Sequence, residues 1–500
     1  MSTPIRRRHC LMAAIVPTRS DVRLVPDPRR IVVKTYLPAD HSHHDGKGRA
    51  ERLIDRILAM SPSEVEGALD DVRLGFGARH THLDGILHRG FSLVAHLVSA
   101  PEGISDDMRR LIGAYFLHEY SLEGAALTNP SIVAAPDQAG ALPGTLRVVV
   151  SLRAVGEGHI SSIEFRTGTV GPGGRVELDQ PGVPTIGARR PPMFDNELFG
   201  AKLHEIGAGS ALVQEVMGSL SERFSMGDLE ERLAWLERSE GFTTEVQHVT
   251  QSMHWLASSN YELSFAEGSD LSQRVLFPSG PSESNGMEDA RLVRFTEPDG
   301  LVVYYATYTA FDGFSILPQL IETTDFLNFR IASLNGPAAR NKGIALFPRR
   351  IDGRYAALAR SDGESNYLMM SDNVRFWHEA ERFQMPRHPW ELMQIGNAGP
   401  PIETESGWLV LTHAVGPMRR YVLGAVLLDL DDPSRLIGSL RQPLLAPTES
   451  ERDGYVPNVV YSCGSIVHDG ELVIAYGTSD TSAGFASVSL DALLGELTRH

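Results

Sequence analysis

Along the first 125 residues, apolar positions recur every three to four residues: Leu53, Ile54, Ile57 and Leu58, then Phe91, Leu93, Val94 and Leu97. That period predicts helices buried on one side. Ser61-Pro62-Ser63-Glu64 marks a helix start. Ser caps the first turn, Pro occupies a position whose N–H has no partner anyway, and Glu reaches back to the cap N–H. Residues 1–125 therefore read as an N-terminal helical region with nothing catalytic in it, suited to docking or to association between copies of the chain.

From Ala126 the pattern changes to short apolar or aromatic runs broken by Gly and Asp. A unit recurs, with a turn ending in Gly followed directly by a strand. The turns are Pro298-Asp299-Gly300, Ile351-Asp352-Gly353, Glu405-Ser406-Gly407 and His468-Asp469-Gly470, leading into residues 301–307, 354–358, 408–412 and 471–476. The glycines are spaced 53, 54 and 63 residues apart, and an earlier copy opens at Gly144 with residues 146–152 as its strand. The segments 324–329 and 371–377 echo each other too, each carrying an aromatic residue a few positions after an acidic turn. Such four-stranded units are the signature of propeller blades stacked radially. Five copies predict a mainly β chain, a five-bladed β-propeller over residues 126–500. The first and second copies lie too far apart for one blade. The surplus, about residues 188–258, includes helical sequence at 228–238 and reads as a helical insertion between blades 1 and 2.

Composition narrows the partners. With 42% hydrophobic and 22% charged residues the chain is too apolar to be disordered. A net charge of −17 repels phosphodiester backbones and anionic lipid, which argues against nucleic acid and membrane surfaces as partners. Two cysteines, Cys10 and Cys463, make no disulfide framework. Arg6-Arg7-Arg8 precedes a minimal apolar run at 10–16, but residues 17–21 turn polar without an Ala-x-Ala site, so the expectation is a cytoplasmic protein. No His, Cys or carboxylate cluster has metal-ligand spacing. Gly171-Pro172-Gly173-Gly174 is a turn rather than a nucleotide-binding loop.

A propeller gathers one loop or strand end per blade around a shared axial pocket. The equivalent places here carry Arg153 and the stretch Gly156–Ser162, then Glu288, Asp289 and Arg291, then Arg340-Asn341-Lys342, then His413, then Asp480. Individually each has a plain structural explanation: Asp at a strand end forms turns, a lone His satisfies a neighbour, and Glu288 or Asp289 pairs with Arg291. Taken together they set acids and cations at corresponding strand ends.

Five ordered stretches then carry a resemblance. Asn285-Gly286-Met287-Glu288-Asp289-Ala290-Arg291, Tyr308-Thr309-Ala310-Phe311-Asp312-Gly313, residues 340–348, Gly399-Pro400-Pro401 with residues 408–413, and Tyr455-Val456-Pro457-Asn458-Val459-Val460 resemble glycoside hydrolase family 130. That family comprises β-mannoside phosphorylases and β-1,2-mannosidases on a five-bladed propeller. The resemblance spans roughly 126–495, and its one visible departure is Ala290 where the family has Pro. It implies Asp289 as general acid, protonating the glycosidic oxygen through a sugar hydroxyl. Arg153, Arg340, Asn341, Lys342 and His413 fall where the family contacts phosphate. Asn129, Ser162, Glu288, Arg291, Asp312 and Asp480 are the implied sugar-binding residues. Hydrolysis with inversion needs two carboxyl groups. Phosphorolysis needs only the acid plus a cationic cradle for inorganic phosphate, which then serves as co-substrate with no other cofactor. Arg340 and His413, where the hydrolytic branch carries glutamates, favour an inverting β-mannoside phosphorylase. The alternatives are a β-mannosidase on the same scaffold and a non-catalytic carbohydrate-binding propeller.

Overall fold

A computed structural model describes residues 15–38, 48–80, 82–98 and 100–498. Most of the apolar run at 10–16, and Cys10 with it, lies outside the described residues. The chain divides into two compact units, residues 29–122 and residues 1–28 with 123–500.

In the smaller unit the three-to-four-residue period becomes helices Arg49–Leu58, Pro62–Phe76, Leu83–Val94 and Asp106–Tyr115. Ser61 and Glu64 form the expected reciprocal cap, with the Glu64 carboxylate 2.7 Å from the Ser61 N–H. Ile54, Leu69, Phe91, Leu111 and Phe116 make this unit's own core. Strands Ile31–Thr35 and Leu117–Ser121 pair antiparallel at its two ends.

The larger unit is built mainly of antiparallel strand pairs. All five turn glycines, Gly144, Gly300, Gly353, Gly407 and Gly470, adopt positive φ between 76° and 137°, a region that disfavours other residues. The strands that follow them are Leu146–Val155, Val302–Phe311, Tyr355–Ala359, Gly407–Val415 and Glu471–Thr478. Each is hydrogen-bonded on both sides by sequence neighbours, so each is the second strand of an antiparallel run. The first two runs join into one twelve-stranded sheet through a parallel bridge between Gly286 and Ser161.

Helices Asn196–Glu205, Ala211–Ser219, Met226–Glu240 and Thr244–Ser258 follow the first run and share a core of Phe199, Leu203, Leu229, Leu233, Val249 and Met253. Strands flank them. Ala188–Arg190 and Tyr261–Ser264 pair with each other, and the latter pairs with Asn328–Ser333.

The N-terminal end corrects the reading of residues 1–125 as helical. Thr18–Leu24 is a strand, laid antiparallel on Ser482–Ser489 as the fourth strand of the last run. Charge hid it: Arg19, Asp21 and Arg23 interrupt the alternation. Val22 and Leu24 nevertheless pack on the core of Val150, Val473 and Phe485. Arg19 and Arg23 reach the buried Glu451 at 3.0 and 3.3 Å. Burial alone would raise the Glu451 carboxyl, but bonds from Arg19, the Thr448 N–H and Tyr476 outweigh it and hold it down at about 2. Among the described residues no helix is long and apolar enough to cross a membrane.

Candidate active site

Two bulged strands set the centre of the site. In Gly286–Thr296 the register slips between Glu288 and Arg291, and Asp289 takes φ 56°. In Ala126–Ala134 it slips between Thr128 and Ser131, and Asn129 takes φ 49°. The Asn129 amide donates to Asp289 Oδ1. Gly286 is required at the start of its strand, since a Cβ there would sit 2.5 Å from the Ser161 nitrogen. Ser161 Oγ also donates to the Met287 carbonyl at 2.9 Å, tying the acid-bearing strand to its neighbour.

Glu288 lies between two cations, accepting from Arg153 Nη2 at 2.8 Å and Lys342 Nζ at 2.5 Å. Asp480, at φ 50° just past Glu471–Thr478, lies within electrostatic reach of Asp289 and Arg153. Burial, then the negative charge of Asp289, pushes its carboxyl above the ordinary carboxylate value, while Arg153 and Arg419 pull it back.

Beneath these groups lies Arg291, only 2% exposed. Its guanidinium donates to Asn397 Oδ1 at 3.2 Å, to the Asp289 carbonyl at 3.1 Å and to Tyr461 Oη at 2.7 Å. Arg291 is thus committed to holding the acid's backbone and is a positioning residue rather than the sugar contact expected from the sequence.

His413 is buried beside the ring of Tyr461, with centroids 4.9 Å apart. Its Nδ1 faces the Asn397 carbonyl at 2.9 Å and its Nε2 faces Arg360 Nη1 at 3.1 Å. A carbonyl requires a proton on Nδ1, and a guanidinium requires a lone pair on Nε2, so the ring is the neutral Nδ1–H tautomer. Burial first, then the charges of Arg360 and Arg291, holds its pKa well below the usual histidine value. His413 is therefore not the supplementary cation expected from the sequence. It aims one, Arg360.

The expected residues do not all converge. Arg340 is exposed, and its side chain makes no ion pair among the described residues. Asn341, at φ 67°, accepts from the Lys342 N–H at 2.8 Å and fixes the loop that presents Lys342. Ser162 is buried opposite Ala154, and its neighbour Ser161 makes the link to the acid strand. Asp312 is a turn former: its Oδ1 takes the N–H groups of Phe314 at 2.9 Å and Ser315 at 2.6 Å.

Sequence reasoning missed Arg360, Asn397 and Tyr461. Arg360 had a signal, because it closes Tyr355–Ala359 where other strand ends carry His413 and Asp480. The Nε atoms of both Arg153 and Arg360 are buried with no partner among the described residues. Each guanidinium thus has one donor left over after its contacts with the described residues. No group of three potential metal ligands occurs among the described residues.

Comparison with known proteins shows the family. A family model for glycoside hydrolase family 130, described as beta-1,4-mannooligosaccharide phosphorylase, matches residues 244–499. A 1,2-beta-oligomannan phosphorylase of Thermoanaerobacter sp. (strain X514) is 35% identical over 227 residues, covering 44% of this chain and 74% of that protein. A beta-1,2-mannobiose phosphorylase of Listeria innocua is 31% identical over 234 residues, covering 44% of this chain and 63% of its own. The solved structure of Listeria innocua beta-1,2-mannobiose phosphorylase aligns with TM-score 0.46 at 21% identity, over 76% of this chain and 94% of that one.

Proposed function

The chain belongs to glycoside hydrolase family 130, and from that premise we propose that it cleaves β-mannosides by inverting phosphorolysis. The five antiparallel runs are read as five propeller blades, with Thr18–Leu24 closing the last and the helices at 196–258 inserted between the first two. Phosphate and a short β-mannoside meet at the strand ends carrying Asp289.

In this reading the carboxylic acid of Asp289 gives its proton, through a sugar hydroxyl, to the glycosidic oxygen as the C1–O bond breaks. A phosphate oxygen attacks C1 from the opposite face, giving α-mannose 1-phosphate and a mannoside one sugar shorter. Asn129 and the backbone grip of Arg291 fix the acid's position. Lys342, Arg153 and Arg360 supply charge to the phosphate, with Arg340 and Asn341 at the entrance and His413 orienting Arg360. Arg suits this task because its planar fork matches two phosphate oxygens at once. Asn129 and Asp480 accept from hydroxyls of the mannosyl ring.

The observation that carries the reading is the pair of buried guanidinium Nε donors with no partner, in the same cluster as a single positioned acid. A hydrolase would need a second carboxylate free to activate water. Glu288 is unsuited, being paired with two cations. The test is to incubate the enzyme with β-1,2- and β-1,4-mannobiose, with and without phosphate. Phosphate-dependent α-mannose 1-phosphate is expected. Free mannose released at equal rate without phosphate would establish the hydrolase instead.

A further inference from the structure

A second group of cations lies outside the candidate active site. Where the start of Asn196–Glu205 and the end of Thr244–Ser258 meet Asn328–Ser333, there is a cavity of about 40 Å³. That volume holds roughly three waters or one small tetrahedral oxyanion. Its helical side carries the apolar Phe194, Phe199 and Leu256 together with Asp195 and Lys202. Its sheet side is polar and unfinished. Arg330 and Arg375 both line it, and neither makes an ion pair among the described residues. Arg330 Nη2 reaches only the Met193 carbonyl, at 3.4 Å, and its Nε is buried without a partner. Ser333 and Asn335 are each 4% exposed, and Ser333 Oγ and Asn335 Oδ1 also lack partners.

No carboxylate near the cavity makes an ion pair with Arg330 or Arg375 among the described residues. Glu205 is bound to the buried Lys202 at 2.5 Å and to the Gly336 N–H at 2.5 Å. Asp195 accepts the Leu198 N–H at 3.0 Å as a helix cap. Burial, then the charge of Arg330, lowers the Arg375 pKa, and the charges of Glu322, which stands opposite Arg330 in the sheet, and of Asp195 offset this only in part. Two guanidiniums facing one small space, with an orphaned carbonyl oxygen beside them, require an occupant of mixed character. It must offer anionic oxygens to Arg330 and Arg375 and a hydroxyl donor to Asn335 Oδ1.

We propose that this cavity is a second, non-catalytic binding site for a monoprotonated tetrahedral oxyanion of the hydrogenphosphate type. The site stands without the reading of the reaction. What rests on that reading is its placement: Asn335 exchanges backbone bonds of 2.8 Å with Arg375 and Trp377, and the chain then runs through Gly336 to Arg340, Asn341 and Lys342. An anion here fixes the base of the loop that carries the candidate cradle.

Calorimetric titration of the full chain with inorganic phosphate tests it, alongside glucose 6-phosphate as a phosphate monoester too large for the cavity. Two inorganic phosphates per chain are expected, and none of the ester at this site. Arg375→Met should weaken this site about tenfold or more, the effect of removing one charge-assisted bond. Its melting temperature without phosphate should be equal or higher, since a buried repulsion is relieved. Asn335→Asp, nearly isosteric and able to pair with the guanidiniums, should also abolish the second phosphate. Arg340→Ala should leave this site intact, so failure of the catalytic assignment and failure of this proposal read out separately. In crystals soaked with arsenate, an anomalous peak is expected between Arg330 and Arg375. A single phosphate per chain, or two that survive both Arg375→Met and Asn335→Asp, would overturn the proposal.

Discussion

Asn129, Asp289, Asn341 and Asp480 all hold left-handed backbone conformations. Asn and Asp tolerate that region better than other side chains, yet each such residue costs on the order of 1 kcal/mol and persists where the surroundings enforce it. Here the strain aims polar groups at one place. Asp289→Asn keeps the acceptor that Asn129 binds but removes the transferable proton. Turnover of mannobiose with phosphate should fall by about 10²–10⁴-fold while mannose binding persists. Equal loss of binding would assign Asp289 to the ground state instead. Arg360→Ala should raise the KM for phosphate about tenfold or more, and Arg360→Lys should restore it only partly, because an ammonium lacks the fork. His413 gives a stability signature. Its folded pKa is depressed, so the unfolded chain binds the extra proton as pH drops below the ordinary value of 6.5. The contribution is whole above that pH and lost below it at about 1.4 kcal/mol per unit. Denaturant melts from pH 7 to 5 should therefore decline more steeply for wild type than for His413→Gln.

At the level of elements, Glu451 fastens the N-terminal strand. Its folded pKa of about 2 lies below its ordinary 4.5, so its contribution is present above 4.5 and is lost as pH falls through 2. The two arginines are partly exposed, and solvent screens part of the interaction. Glu451→Gln should cost about 2 kcal/mol at pH 7 and flatten the acid decline between pH 4.5 and 2, as measured by denaturant unfolding. An unchanged midpoint would show that Val22 and Leu24 hold the strand by packing alone. Elements with a strong local signal were legible in advance. The turn glycines placed five central strands, and Ser61-Pro62-Ser63-Glu64 placed a helix start. The strand Thr18–Leu24 was not legible, because its partner is more than 450 residues away and Arg19 and Arg23 meet Glu451 only once the chain has packed.

Across the molecule, the two units have separate cores, and the residues assembled in the candidate site all belong to the larger one. Leu69→Ala, at a fully buried position, should destabilise the smaller unit by about 2–5 kcal/mol while leaving KM for phosphate unchanged. Hydrogen exchange in residues 49–115 together with steady-state kinetics would check this. The overall charge of −17 argues against polyanion binding as a whole-surface property. It says nothing of local cation clusters such as Arg153 with Lys342, or Arg330 with Arg375.

The primary sequence determined what depends on near neighbours: helical and strand periods, caps, turns that only glycine fits, and the Glu288-Asp289 motif at a strand start. The tertiary structure decided pairing and protonation. It made Arg291 a buried support, made His413 neutral, brought Arg360 into the cluster and turned Asp312 into a turn former. Those outcomes depend on burial and on charges from distant segments, and a string of residues specifies neither until the chain has packed.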